Sequence, residues 1–419
     1  MLIIALILTL IVVSAIVLTK KFNLTRNISL LFMAQPLVMC SAPIIVFIGG
    51  LLSSELTSNA SLATLPITLL ILGIAAGSIP GAMLAKAKGR KFAIFTGFSC
   101  LFIAALLSVL ATKVASFELF SLASFLFGTG GAFTQQLRFA AIESTKNAND
   151  IPKVLAILML SGVFAAFLGP EIAVIGKNWL NSPHGYAGSF MFLTIFIGLA
   201  AVIMLFFEEP KIMEDSSTGG TRALSTIIKQ PIFMIAISTA TIGFALMSYL
   251  MTATPLSMHH MQGHSLIETK WVIQTHIAAM YLPSIITPWL VKKVALKGLL
   301  ISGSIIYIIV AFIAFSGQEV IHYWWALLLL GIGWNFLFLT GTSLLPQSYK
   351  ASERHKVQAT NDFILFGFQA IASLMAGWVL FTGGWSSVVV TSLPFIVALF
   401  FVNLAYFSFI KAKNQIKSN

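Results

Sequence analysis

The sequence predicts an all-α polytopic membrane protein of two six-helix bundles, preceded by an additional hydrophobic segment. Three observations predict it. The 419 residues are 58% hydrophobic and only 9% charged, whereas a soluble domain carries roughly 25% charged residues. The apolar residues gather into thirteen runs, each near the ~20 residues that cross a bilayer as a helix. The basic residues sit almost wholly in alternate connections between those runs.

The runs lie near 2–18, 28–52, 62–85, 92–112, 117–140, 152–176, 187–207, 231–256, 269–291, 295–316, 321–346, 357–381 and 386–410. Of the 25 Lys and Arg residues, 22 fall on one side of the alternation and only Lys113, Lys177 and Lys270 on the other. Loops rich in Lys and Arg stay in the cytoplasm, which predicts a multi-pass protein of the inner (plasma) membrane with a cytoplasmic C-terminus. The alternation also supports the span list, because one missed or invented span would scramble it. The net charge of +12 is therefore topological, and no nucleic-acid partner is expected.

Residues 1–26 form the additional N-terminal segment. Met1 to Leu18 has no basic residue ahead of it, which makes a poor signal peptide. Lys20, Lys21 and Arg26 follow it, as suits a span with its N-terminus outside; an interfacial segment is the alternative. Residues 27–207 and 231–410 then supply six spans each, and 411–419 form a tail. Between the halves runs the longest polar stretch, 208–230, with Met213-Glu214-Asp215-Ser216-Ser217 and Gly219-Gly220, a linker composition. The halves echo each other. Glu143-Ser-Thr-Lys146 followed by Lys153-Val-Leu-Ala156 matches Gln347-Ser-Tyr-Lys350 followed by Lys356-Val-Gln-Ala359, each opening the fifth span of its half. Two parallel six-helix repeats predict such an echo.

Enzyme chemistry finds no support. No CxxC, HExxH, phosphate-binding glycine loop or nucleophile elbow occurs. Cys40 and Cys100 both fall within expected spans, so neither a disulfide nor a metal site is expected, and no cofactor.

The loop after the second core span reads Gly81-Ala-Met-Leu-Ala-Lys86-Ala-Lys-Gly89-Arg90-Lys91. With the six-plus-six spans and the central linker, it resembles the major facilitator superfamily, whose signature turn ends in Gly-Arg-Lys. Lys86 stands where that family carries an aspartate. Leu168-Gly169-Pro170-Glu171 partly resembles the Gly-Pro kink of its antiporters, without the double glycine. Arg138-Phe-Ala-Ala, Phe167-Leu-Gly-Pro-Glu171, Gln274-Thr-His276 and Asn361-Asp362-Phe363 resemble a bacterial branch that includes riboflavin importers. The resemblance implies a secondary transporter working by alternating access.

Of thirteen acidic residues, Glu171 and Asp362 fall clearly within spans. A charge at mid-membrane costs roughly 2.5–3.5 kcal/mol on insertion scales, so each needs a partner, water or a proton. Glu171 follows the helix-breaking Gly169-Pro170 and is either a protonatable acid at a bent gate or an acid that reaches outer water. Arg138 shares a stripe with Gly128, Gly131, Gln135 and Ile142. It contacts substrate, snorkels, or pairs with Glu143. Asp362 shares a stripe with Phe366, Gln369 and Ser373 and, in the expected fold, lies near Lys86 and Arg90. A latch between Asp362 and Lys86 is the preferred reading.

Trp271, Gln274 and Tyr281 share one face of the eighth core span and are expected to wall the cavity. His276 lies roughly 200° around from Gln274. It serves as an interhelical hydrogen-bonding group, with a proton step as the alternative. Trp334 beside Asn335, and Gln35 on the first core span, complete the expected wall. The expected set is thus Gln35, Gln135, Arg138, Trp271, Gln274, Trp334, Asn335 and Gln369 for substrate. Glu171, Asp362 and His276 are expected for protons, and Lys86, Arg90, Asp362, Gly169 and Pro170 for gating. Amides and aromatics outnumber charges, favouring a small aromatic-sized organic solute, with or without a coupled proton. Import of a riboflavin-like vitamin is the first expectation, efflux of drugs or metabolites the second, and a non-transporting receptor on the same scaffold the third. Membrane lipids are the other partners, and a monomer is expected.

Overall fold

The computed structural model describes residues 1–145, 150–209 and 222–418. The middle of the linker, including Met213 to Gly220, and Lys146 of the repeated turn lie outside the described residues. Helices α1 (Leu2–Phe22), α2 (Arg26–Met39), α3 (Ser41–Leu56), α4 (Leu65–Lys88), α5 (Arg90–Val114), α6 (Phe117–Thr134), α7 (Gln136–Glu143), α8 (Ile151–Gly176) and α9 (Ala187–Leu205) precede the linker. After it come α10 (Leu224–Ile228), α11 (Pro231–Pro255), α12 (Leu266–Tyr281), α13 (Pro283–Ser316), α14 (Val320–Leu344) and α15 (Arg354–Ser418). No strand occurs among the described residues. Lipid offers no hydrogen bonds to an open backbone, so helices are the form that these apolar runs must take.

Ten helical stretches among the described residues are long and apolar enough to cross a membrane. One of them, Lys356–Ile410, has 55 residues, or ~80 Å of helix against a hydrocarbon layer of ~30 Å. It breaks at Gly384 (φ 73°) and supplies two crossings. The α6–α7 pair and α12 running on into α13 supply the others, matching the thirteen runs. Sequence and structure differ at the C-terminus, where α15 continues through Ser418 rather than ending in a tail.

Breaks in the helices have local causes. The α2–α3 break falls at Cys40, between Pro36 and Pro43. Gly89 links α4 to α5 at φ 90°, and Ala295 makes the equivalent turn of the second half at φ 55°. That left-handed geometry is natural for glycine and strained for alanine. The repeat is thus visible in the backbone as well as in the sequence.

Helix α1 packs against α2 and α8. Ile4, Ile7, Ile11 and Ala15 are buried at helical spacing, while Leu2, Ile3, Leu6, Leu10 and Val12 remain exposed. A helix apolar on its outward face suits lipid, which favours the spanning alternative over the interfacial one. The face of the protein carrying the basic connections is called the basic side below, and the opposite face the far side.

Candidate functional site

The two bundles meet along α8 and α12, and the contact is strongest toward the far side. Lys270 Nζ donates to Glu171 Oε2 at 2.8 Å, and both residues are buried, at 7% and 5% exposure. Four residues deeper on each helix, Gln274 Nε2 donates to the Phe167 carbonyl at 2.9 Å. Deeper still, the Tyr281 ring lies against Gly162. Thr64 Oγ1 also donates to Leu374 O at 3.3 Å, joining α4 to α15 near the far side. Gly169 lets α8 approach the Cys40 break, where a Cβ would come within 2.8 Å of Cys40 O and Pro43 Cβ. Pro170 lies inside α8 at the level of these bonds and, lacking an N–H, cannot donate a helical hydrogen bond. Sequence order hides this seam, because its partners are 99 and 107 residues apart.

Several expectations need correction. Glu171 does not reach outer water; it is buried against a cation from the other bundle. Lys270, counted among the far-side charges at the start of the 269–291 run, lies a turn inside α12, which starts at Leu266 because Ser265 and Glu268 form a capping box. Trp271 is not an inner wall residue. It is 53% exposed at the far end of α12, with Lys270 Nζ 5.7 Å from its ring. Tyr281 and Gln274 seal the seam instead of lining open space. His276 is fully buried on the opposite face of α12, its Nδ1 donating to Leu327 O of α14 at 2.7 Å, away from the seam.

On the basic side the expected Lys86–Asp362 latch is absent: Lys86 is exposed and, among the described residues, makes no ion pair. Arg90 instead binds Glu143 of its own bundle through Nε and Nη2, at 3.0 and 2.8 Å. It also donates to Gln136 and lies over the Phe139 ring. Glu143 is therefore engaged, and the charged neighbour of Asp362 is Arg138, across the bundle boundary. Gln135 and Arg138 are exposed, and a Cβ at Gly131, on the same stripe, would meet nothing within 4 Å, so this face of the first bundle is left unpacked.

The two ends of the linker each clamp one bundle. Glu209 accepts from the amides of Arg90 and Lys91 at 2.6 and 2.8 Å, beside the Gly89 turn. At the other end buried Glu353 binds the Arg222 guanidinium at 2.6 and 2.8 Å and the Lys350 amide at 2.9 Å. The Arg222 hydrogen bonds hold the Glu353 carboxyl well below the usual carboxylate range. Sequence reasoning missed Gln136, Glu209 and Glu353; only the Gly-Arg-Lys turn signalled that something must cap it.

Within the second bundle, Trp334 and Phe338 of α14 stack at 5.0 Å and 7°. Phe244 of α11 stands edge-on to Trp334 at 5.0 Å, and Phe366 of α15 lies 6.3 Å from Phe244. Trp334 Nε1, Gln369 Oε1 and Ser248 Oγ are buried without a hydrogen-bond partner. Asn335 donates to Met280 O and Ser284 Oγ at 2.8 and 2.7 Å, while its Oδ1 is unpartnered. In the first bundle Gln35 donates to Leu158 O of α8 at 3.1 Å. Over the far-side seam lies a cavity of about 500 Å³, bounded by Glu55, Lys177 and His184 of one half and His259 and His260 of the other.

Two bundles, a one-sided seam and a clamped linker frame what the sequence resembles. The profile of the Major Facilitator Superfamily matches residues 28–366. The chain belongs to that superfamily. As a major facilitator it is a multi-pass membrane transporter. It is 33% identical over 383 residues to the riboflavin transporter RfnT of Brucella anthropi, covering 90% of this chain and 95% of that one. An uncharacterised transporter of the superfamily from Bacillus subtilis, YdeG, is 27% identical over 80% of this chain and 81% of its own. Among solved structures, a bacterial homologue of the human lysosomal transporter Spinster superposes with a TM-score of 0.68, at 16% identity over 92% of this chain and 97% of that one. The family profile begins at residue 28, after residues 1–26.

Proposed function

We propose that this major facilitator imports a flavin-like vitamin across the cytoplasmic membrane by alternating access, coupled to protons through Glu171. The observation that carries the mechanism is the buried Lys270–Glu171 bond between the bundles. Opening toward the far side requires parting these two charges, and a buried ion stripped of its partner is costly. A proton on Glu171 neutralises the acid and lowers that cost. Where the far side is sealed and the basic side open, the cavity faces the basic side, which we take as cytoplasmic from the charge bias. The substrate class rests on the flavin-transporting relative and on a wall of aromatics and amides.

The test is uptake of riboflavin by a flavin-auxotrophic bacterium carrying this gene, at limiting vitamin. Rescue by the wild type, with Glu171→Gln flattening the dependence of uptake on external pH, is expected. Unaltered pH dependence in Glu171→Gln removes the coupling role. Dye export with no flavin uptake replaces import by efflux.

A further inference from the structure

The aromatic cluster of the second bundle carries polar atoms whose partners are missing. Trp334 and Gln369 are buried, at 7% and 8% exposure, yet among the described residues the Trp334 Nε1–H has no acceptor and the Gln369 Oε1 has no donor. Desolvating such groups without a hydrogen bond costs free energy, so each orphan calls for an occupant. They belong to one place. Phe244 packs on Phe366, and about two turns on along the same two helices Thr252 meets Ser373 at 3.3 Å. Helices α11 and α15 therefore run in parallel register. Between those two contacts, Ser248 and Gln369 fall at about the same level, and Ser248 Oγ is unpartnered too. Trp334 stands about one turn before this level, edge-on to Phe244. Phe366, one turn before Gln369 and on the same face of α15, is partly exposed and gives an approach.

We propose that Phe244, Trp334, Phe338 and Phe366 form the substrate seat, and that it selects a flat fused heteroaromatic ring bearing an imide edge. The inference rests on the flavin reading above and names the chemistry that would recognise it. Ring faces stack on the aromatic side chains, which are partly exposed at Phe244, Phe338 and Phe366. An imide presents carbonyl oxygens and an N–H side by side. A carbonyl accepts from Trp334 Nε1–H, and the N–H donates to Gln369 Oε1, so both orphans are satisfied by one edge. Ser248 Oγ, able to donate or accept, takes the remaining carbonyl. A flat hydrocarbon of the same size satisfies none of them and is disfavoured, because a site built for hydrogen bonds rejects analogues that lack them.

The experiment measures binding to the purified full-length protein by quenching of flavin fluorescence. The probes are riboflavin and its analogue methylated on the imide nitrogen. The variants are Trp334→Phe, which keeps a ring and loses the N–H, and Gln369→Leu. Expected are about tenfold weaker riboflavin binding in each variant and a similar penalty for the methylated analogue on the wild type. That methyl penalty should vanish in Gln369→Leu. Riboflavin binding that ignores both variants, or a methyl penalty unchanged by Gln369→Leu, overturns the seat while leaving the flavin reading standing. No riboflavin binding to the wild type overturns the flavin reading itself, and the imide assignment with it. Should Trp334→Phe fail to fold, the methyl comparison across Gln369→Leu still decides.

Discussion

The two ends of the boundary between the bundles are held in different ways. On the far side, bonds cross it directly: Lys270 to Glu171, Gln274 to the Phe167 carbonyl and Thr64 to the Leu374 carbonyl. On the basic side each bundle is tied to its own end of the linker, by Glu209 at Arg90 and Lys91 and by Glu353 at Arg222. There the charges that face each other across the boundary are Arg138 and Asp362. Under the alternating access proposed above, the difference separates a lock from a hinge: bonds across the seam would break as the far side opens, while bonds to the linker would move with their bundle.

The sharpest way to break this comparison is Lys270→Ala. It leaves Glu171 buried and unpaired, at an expected cost of ~3–5 kcal/mol to the sealed conformation. Labelling of a cysteine introduced at the far-side seam should rise, and the double variant Lys270→Met with Glu171→Leu should seal again. No rise in labelling would deny the pair its locking role. Next in size is Gly89→Ala on the basic side. The positive-φ extended backbone (φ 90°, ψ 162°) costs alanine about 1–3 kcal/mol, and its Cβ would sit 3.0 Å from Glu209 Oε1. Thermal unfolding should fall, with far-side labelling unchanged if clamp and lock are independent.

The Arg222–Glu353 clamp is tested by acid. Its carboxyl lies below the unfolded value, so its contribution is complete above the ordinary carboxylate range and is lost only as pH falls through the lowered value. Proteolysis of the linker should therefore stay slow through the ordinary carboxylate range, and Arg222→Leu should bring rapid cutting up into it. Equal pH profiles would show that the clamp does not hold the linker. The smallest expected effect is Ala295→Gly, which relieves the strained turn (φ 55°). A gain of up to about 1 kcal/mol is expected, offset in part by the added freedom of glycine when unfolded. Loss of stability would mean that the turn is not strained.

Much of the scaffold is legible in the chain. Apolar runs of bilayer length, alternate basic loops and the echo of Glu143–Lys153 in Gln347–Lys356 are local patterns, and local patterns survive any arrangement of the helices. Glu171 stands out by the same logic, since a carboxyl in an apolar run is visible without a fold. Its partner is not. Lys270 reads as an ordinary far-side charge until α12 is laid beside α8, and Trp271, one residue on, then turns outward to 53% exposure. The Lys86–Asp362 latch fails because Arg138, far from Asp362 in sequence, lies on the facing bundle.

By itself, then, the sequence determined the solvent in which this protein folds, the number of its crossings, its repeat and the acids that lipid makes expensive. These follow from hydropathy, charge and periodicity, which act over one or two helical turns. Only the tertiary structure decided which charge meets which, that the far side is sealed, and that the orphaned groups of Ser248, Trp334 and Gln369 gather around one aromatic cluster. Those are contacts between helices far apart in the chain. In a membrane, where nearly every helix face is apolar, the sequence pattern does not choose which faces will meet.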